Sequence, residues 1–295
     1  MKKISAKCFT RVTLALDIIG KIPSGPYAGF HELAAIKHKI NLHDILTIEE
    51  SPSTKIACSV PQVPCGPSNI CWKVADIVKA EFGITRNVAI TIEKHIPIQG
   101  GLAGGSADAA AMFLLLREFW GLDLSGDKLI ALSRKAGMDV PFYFCGNTAL
   151  DTEAGGILEP IDTELRFDMI LVTPDFGVST AQAYKGIDYS RIGHNKLQTI
   201  AMKESLQSNA RAAVTSAMHN DFELSVFREY PKLPVIKRLL LEAGCENAML
   251  SGSGSTVIGI LPTAADFDKI QRTIGFRSLL VSSCSESSNC DTRYN

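Results

Sequence analysis

Four glycines occupy six positions, Gly100, Gly101, Gly104 and Gly105, between the most regular alternating stretch of the sequence and a long Ala-, Leu- and Met-rich run. Residues 88–93 (Val-Ala-Ile-Thr-Ile-Glu) alternate as a strand with one buried face, and residues 106–120 read as a buried helix. Glycine at that density lets the backbone take positive φ and approach a ligand with no Cβ in the way. At a helix entry the loop amides and the first unpaired helix donors converge where the dipole favours an anion, so residues 97–110 predict a phosphate site. The plain alternative is a tight turn with Ser106 and Asp108 as helix caps, but a simple connection rarely needs so many entropically costly residues. On the phosphate reading, Ser106 and Asp108 lie on the first helical turn, where a hydroxyl and a carboxylate can cap the helix or hold Mg²⁺. No Gly-Lys-Ser/Thr follows, which excludes a Walker A loop. No second βαβ half accompanies it, which argues against a dinucleotide fold.

The chain has 295 residues, 46% hydrophobic and 21% charged, a length and balance suited to two folded domains. Thirty basic against thirty-one acidic residues give a formal net charge of −1, so nucleic-acid and membrane-surface partners are not expected. The longest apolar runs fall well short of the roughly 20 residues that span a bilayer, and Arg11 and Asp17 interrupt the apolar stretch near the N-terminus. A cytosolic protein is expected. Eight cysteines without a Cys-x-x-Cys pair argue against a zinc knuckle or a redox site. They read as reduced thiols, most of them filling the core, with Cys284 and Cys290 exposed.

Strands are expected over residues 11–19, 45–49 and 169–173, and helices over 69–82, 230–244 and 264–274. A glycine- and serine-containing turn and a strand fill residues 249–261. This mixture lacks a regular βαβ rhythm and predicts an α+β arrangement of two domains divided between residues 153 and 167, with a polar, disordered tail from residue 282. Asp139 stands alone in residues 136–144, a run otherwise without charge, between Gly137 and a strand expected after Pro141. A carboxylate there is expected to be partly buried, as a paired structural acid or as a functional group, and the residues themselves leave both open.

The glycine loop resembles the phosphate-binding motif of the GHMP kinases, a Pro-x-x-Gly-Leu-Gly/Ser-Ser-Ser/Ala run between a strand and a helix. Further segments follow that superfamily in order and are most similar to its branch acting on 4-diphosphocytidyl-2-C-methyl-D-erythritol. They are residues 14–21 with 29–33, 137–142, 154–160 with 172–184, and 220–223 with 250–254; together they span about residues 10–275. The resemblance implies a ribosomal protein S5 domain 2-like N-terminal domain (1–160), a ferredoxin-like C-terminal domain (161–281) and a tail (282–295). It implies direct transfer of the γ-phosphoryl of ATP, with Mg²⁺, to the hydroxyl of a small molecule, in a monomer or homodimer.

The site residues implied are specific. Asp139 accepts the proton of the substrate hydroxyl. The cation expected on the first strand is Arg11, with Lys7 on the same strand face by parity as the other candidate. Lys94, Pro97, Gly100, Gly101, Leu102, Gly104, Gly105, Ser106 and Asp108 surround the nucleotide, Ser106 holding the metal. Thr13, Phe30, His31, Thr180 and Tyr184 face the substrate, His31 and Tyr184 at its cytosine. Gly252, Ser253 and Gly254 form a third motif packed against the glycine loop. The Arg11 position and Gly-Phe-His in place of Gly-Tyr-His depart from the family pattern. They keep open another acceptor (homoserine, mevalonate or a sugar) or a non-catalytic ATP-binding homologue.

Overall fold

The computed structural model describes residues 2–25, 27–284 and 293–294. The first part of the chain runs through β1 (Lys3–Lys21), β2 (His31–Ser51), β3 (Lys55–Cys58), α1 (Ile70–Phe82), β4 (Asn87–Glu93), α2 (Gly104–Trp120), α3 (Gly126–Ala136), β5 (Thr148–Glu153) and β6 (Ile157–Pro160). β1 and β2 form a long antiparallel ribbon, with irregularities between Phe9 and Arg11, Thr13 and Ala15, and Ile18 and Gly20. β2 serves two neighbours along its outer edge: residues 45–51 pair with β4, and residues 33–38 pair with β5, which in turn carries β6. α1, α2 and α3 cover one face, packing Val74, Val78, Phe113, Leu116 and Leu129 against Ile4, Leu46, Ile48, Ile90 and Ile92.

The second part contains β7 (Asp168–Val172), α4 (Thr180–Lys185), α5 (Lys196–Gln207), α6 (Arg211–Ser216), β8 (His219–Asn220), α7 (Glu223–Glu229), α8 (Lys232–Glu242), β9 (Asn247–Leu250), β10 (Val257–Ile260), α9 (Phe267–Ile274) and β11 (Ser278–Ser282). β11, β7, β10 and β9 lie side by side in that order, every pair antiparallel. With α8 and α9 this is the βαββαβ connectivity of a ferredoxin-like fold. Both faces of this sheet are covered. Met169, Leu171, Ile258 and Ile260 meet Val12, Leu14, Ile36 and Ile40 of the ribbon, while Ile170, Val172 and Val257 meet Leu233, Ile236, Leu240 and Ile270. Two buried faces explain why these strands read as unbroken apolar runs.

The β1–β2 ribbon therefore changes partner along its length, from the helices near Ile4 and Ile48 to the C-terminal sheet near Val12 and Ile36. A bulge bends a strand and increases its twist, and the one next to Arg11 lies where the ribbon passes between the two cores. A short backbone strand, β12 (Arg293–Tyr294), runs antiparallel to β1.

Several expectations need correcting. The strand expected after Pro141 is a single 3-10 turn over Val140–Phe144, so Asp139 stands at its start. α2 begins at Gly104, two residues earlier than expected. The polar tail does not begin at residue 282: Ser282 ends β11, Ser283 bridges to Ile40, and Cys284, expected to be exposed, is buried. Cys290 and most of the expected tail lie outside the described residues. Among the described residues no helix is long and apolar enough to cross a membrane.

Candidate active site

A cleft of about 770 Å³ opens between the glycine loop, β1, β2, the turn at Asp139 and the segments at Thr180 and Gly252. That size suits a small-molecule site. α2 follows Ala103, whose αL conformation (φ 55°) turns the chain and which gives the helix no side-chain cap. The amides of Gly104 and Gly105 are first-turn donors without an intrahelical acceptor, and both residues line the cleft. The amide of Ser106 bonds the Ala103 carbonyl at 3.0 Å. Ser106 does not line the cleft.

Two glycine loops fit together. A Cβ on Gly101, whose φ is +71°, would lie 1.9 Å from the Ser251 carbonyl oxygen, and one on Gly252 (φ +53°) would lie 2.8 Å from the Gly101 oxygen. The backbones also zip: the Thr256 amide donates to Gly100 at 3.2 Å and the Ser255 amide to Gln99 at 3.3 Å. Ser251 Oγ donates to the Gly101 carbonyl at 3.3 Å, and Thr10 Oγ1 donates to that of Leu102. Leu102 itself is an apolar anchor, 1% exposed. Pro97, Gly100, Gly101, Gly252 and Ser253 all line the cleft, and Ser253 Oγ lies 3.1 Å from Thr180 Oγ1. Gly254 takes φ +83°, and a Cβ there would meet Leu250 at 2.8 Å.

Lys94 lies under this loop. Its ammonium is 2.9 Å from Asp108 Oδ2 and also bonds Asp44, whose other oxygen accepts the amides of His95 and Ile96 at 2.6 and 2.8 Å. Lys94, expected near the nucleotide, lines the cleft, and two carboxylates hold its ammonium, which braces the loop from below. Asp108 falls in the second turn of α2 rather than the first, because the helix starts early. Burial pushes its carboxyl well above the ordinary range, Asp44 adds to the rise, and Lys94 opposes it. Its Oδ1 is buried without a partner.

Across the cleft, Asp139 sits between two cations. Arg11 Nη2 is 2.9 Å from its Oδ2, and the Lys37 ammonium bonds its Oδ1. Burial would raise the Asp139 carboxyl, but Lys37 and Arg11 outweigh it and hold the group far below the usual carboxylate range. About a third of its side chain (35%) stays open, whereas the Arg11 and Lys37 side chains are 8% and 7% exposed. Arg11 Nη1 also donates to the Gly101 carbonyl at 2.8 Å and to Thr13 Oγ1 at 3.1 Å, joining β1 to the glycine loop. Lys7 does not serve here: its ammonium lies 6.0 Å from the centre of the Phe9 ring, and it does not line the cleft. The irregularity between Phe9 and Arg11 breaks the parity that placed both on one face.

At the other end of the cleft Phe30 and Tyr184 present rings, Phe30 being 52% exposed. His31 stacks on Tyr184 with centroids 3.9 Å apart and planes 14° from parallel, and its Nε2 lies 2.7 Å from Tyr189 Oη. One face of His31 is thus already taken. Burial lowers its pKa, with Lys21 adding to the effect.

Lys37 and Asp151 were missed in the sequence. Lys37 lies in Ile36-Lys37-His38-Lys39-Ile40, outside the expected strands, and Asp151 lies in β5, also unforeseen. The signal that could have found Lys37 is a cation embedded among Ala34, Ala35, Ile36 and Ile40, all buried.

The sequence matches the descriptions "GHMP kinases N terminal domain" over residues 69–147 and "GHMP kinases C terminal" over residues 201–277. It is 35% identical over 274 residues to the 4-diphosphocytidyl-2-C-methyl-D-erythritol kinase of Thermoanaerobacter sp. (strain X514), covering 93% of this chain and 91% of that one. Identity is also 35%, over 262 residues and 88% of each chain, to the like-named kinase of Alkaliphilus metalliredigens (strain QYMF). A solved 4-(cytidine 5'-diphospho)-2C-methyl-D-erythritol kinase superposes with a TM-score of 0.77 at 26% identity, covering 95% of this chain and 100% of that one. Homoserine kinase from Cytophaga hutchinsonii shares the fold alone, with a TM-score of 0.75 at 14% identity over 99% of this chain and 98% of that one. The interlocked glycine loops, the carboxylate facing them across the cleft and these relatives over nine-tenths of the sequence make this chain a member of the GHMP kinase family.

Proposed function

We propose that this protein transfers the γ-phosphoryl group of ATP to the free hydroxyl of 4-diphosphocytidyl-2-C-methyl-D-erythritol. The observation that carries the chemistry is Asp139, clamped between Arg11 and Lys37 in the same cleft as the unpaired amides of Gly104 and Gly105. The nucleotide phosphates lie on those amides and the acceptor alcohol lies at Asp139. The alcohol oxygen attacks the γ-phosphorus in line as the bond to the ADP oxygen breaks, and its proton passes to Asp139. With its basicity held low, Asp139 orients the hydroxyl first and takes the proton once bond formation has made the alcohol acidic. Arg11 keeps the glycine loop and the base in fixed relation, which supplies orientation without movement during the reaction.

Mg²⁺ fits as an ion carried by the nucleotide: the unpartnered Oδ1 of Asp108, a residue that lines the cleft, is a hard oxygen donor near the head of α2, and octahedral Mg²⁺ usually keeps only one or two protein ligands beside phosphates. Bound there, it would neutralise charge on the phosphate oxygens. Phe30 offers an exposed flat face to a cytosine ring, and Tyr184, stacked with His31, also lines that end of the cleft.

The test is direct. Purified protein is given ATP, Mg²⁺ and either 4-diphosphocytidyl-2-C-methyl-D-erythritol, homoserine or mevalonate, and products are read by phosphorus NMR. A phosphomonoester formed only on the cytidine-linked acceptor supports the assignment. Turnover on another acceptor reassigns the substrate, and no turnover on any of them contradicts the kinase reading.

A further inference from the structure

The two cations on Asp139 are not equivalent. Arg11 spends three of its five donors on the protein, at Gly101, Thr13 and Asp139, and its Nε, which has no partner, is sealed from solvent. Lys37 bonds two carboxylates, Asp139 and Asp151. An ammonium carries three donors, so one remains for a group in the cleft that Lys37 lines.

Asp151 is fixed in turn. Its Oδ1 accepts the Gly156 amide at 2.7 Å, and Arg134 Nη2 holds the Gly156 carbonyl at 2.6 Å. The β5–β6 turn containing Gly155 and Gly156 is thereby tied to the carboxylate that steers Lys37. We propose that Lys37 is a catalytic residue, donating its remaining N–H to the phosphoryl group in transit, and that Asp151 is the positioning residue that aims it. This rests on the kinase reading above.

Burial alone would push the Lys37 ammonium towards neutrality; the two carboxylates reverse this and keep it charged. Arg11, Lys37, Asp139 and Asp151 together carry no net charge until Asp139 receives the substrate proton. Neutralising Asp139 weakens its hold on Lys37 in the step in which negative charge shifts among the phosphoryl oxygens, so the ammonium is released to them when they need it. A compact ammonium with rotatable donors can follow that transfer; a planar guanidinium fixed at three points cannot.

Lys37→Met, Asp151→Asn and the double variant Lys37→Met/Asp151→Asn test this. The double variant leaves no charge added or lost overall, so it keeps the question open to measurement if Lys37→Met unfolds. Lys37→Met should lower kcat on the order of 100-fold, with the ATP KM changed by less than about threefold; Asp151→Asn should lower kcat about tenfold. Calorimetry with ADP and Mg²⁺, then with aluminium fluoride as a mimic of the phosphoryl group in transit, gives a readout independent of the acceptor. Every variant should bind ADP like the parent, and Lys37→Met or the double variant should lose the tightening that fluoride adds. Tightening retained in both overturns the assignment of Lys37 alone. Failure of the parent chain to bind ADP overturns the kinase reading and this proposal with it.

Discussion

A carboxylate between two cations and a cation between two carboxylates face each other across the cleft, and the difference fixes their work. Asp139 keeps about a third of its surface open (35%), so its pairing sets its basicity while leaving it reachable. Lys94 is 5% exposed and its ammonium is held by two carboxylates, Asp44 and Asp108, so it holds the glycine loop in shape. Glycines divide the same way. Gly101→Ala puts a methyl at positive φ and into the Ser251 carbonyl, which costs about 1–3 kcal/mol and displaces the third motif. Gly105 has no positive φ, and the nearest atom to an added Cβ is 3.8 Å away. Thermal unfolding and ATP KM should therefore both suffer in Gly101→Ala, while Gly105→Ala unfolds within about 0.5 kcal/mol of the parent.

At the scale of elements, the strand, glycine loop and helix from β4 to α2 were legible because each has a strong local signal: alternation, glycine density and an apolar run ending at Gly121. Asp139 was legible for the opposite reason, as a lone charge among apolar residues. The first half of β2 was not. Residues 34–40 are all buried, with β5 paired along the strand's edge and the C-terminal sheet packed against Ile36 and Ile40, so Ala34, Ala35, Lys37, His38 and Lys39 show no period of two in their apolar character. Lys37 was lost with them, since its partner Asp151 lies 114 positions away and such pairings leave no trace in local spacing. Parity makes Lys7 the alternative to Arg11, and a helix starting at Ser106 puts Asp108 in the first turn; a bulge and an earlier helix start remove both. Periodicity reads elements well and their irregularities poorly, and the site is built on the irregularities.

At the scale of the molecule, the C-terminal half closes on β1 through a buried acid pair as well as through its sheet. β8 runs parallel to β1 at Ala15 and Leu16, and Asn220 donates to the carbonyls of Leu250 and Gly252 at 2.7 and 2.8 Å, linking β1 to the third motif. Next to it Asp221 accepts the Ile18 amide at 2.8 Å and Asn195 Nδ2 at 3.1 Å. Asp17 is 0% exposed, with Oδ2 unpartnered. Burial and Asp221 push its carboxyl up to about 6 from the ordinary 3.8. A raised acid favours the proton in the fold, so its cost is absent below about pH 4, grows as pH rises towards 6 and is constant above. Asp17→Asn should leave stability near pH 4 unchanged and raise it at pH 7, as read by denaturant unfolding at the two pH values. Equal changes at both would contradict an ionisation effect.

The cleft joins the glycine loop to Asp139, and phosphoryl transfer there requires that carboxylate to take a proton from an alcohol while ATP is held opposite. Single-turnover transfer from ATP to 4-diphosphocytidyl-2-C-methyl-D-erythritol, compared between the parent and Asp139→Asn, tests it most directly. Asparagine keeps the shape but can neither accept the proton nor pair its charge with Arg11 and Lys37. Transfer should slow by at least about 100-fold with ATP still bound. Equal rates in the two proteins would contradict the account.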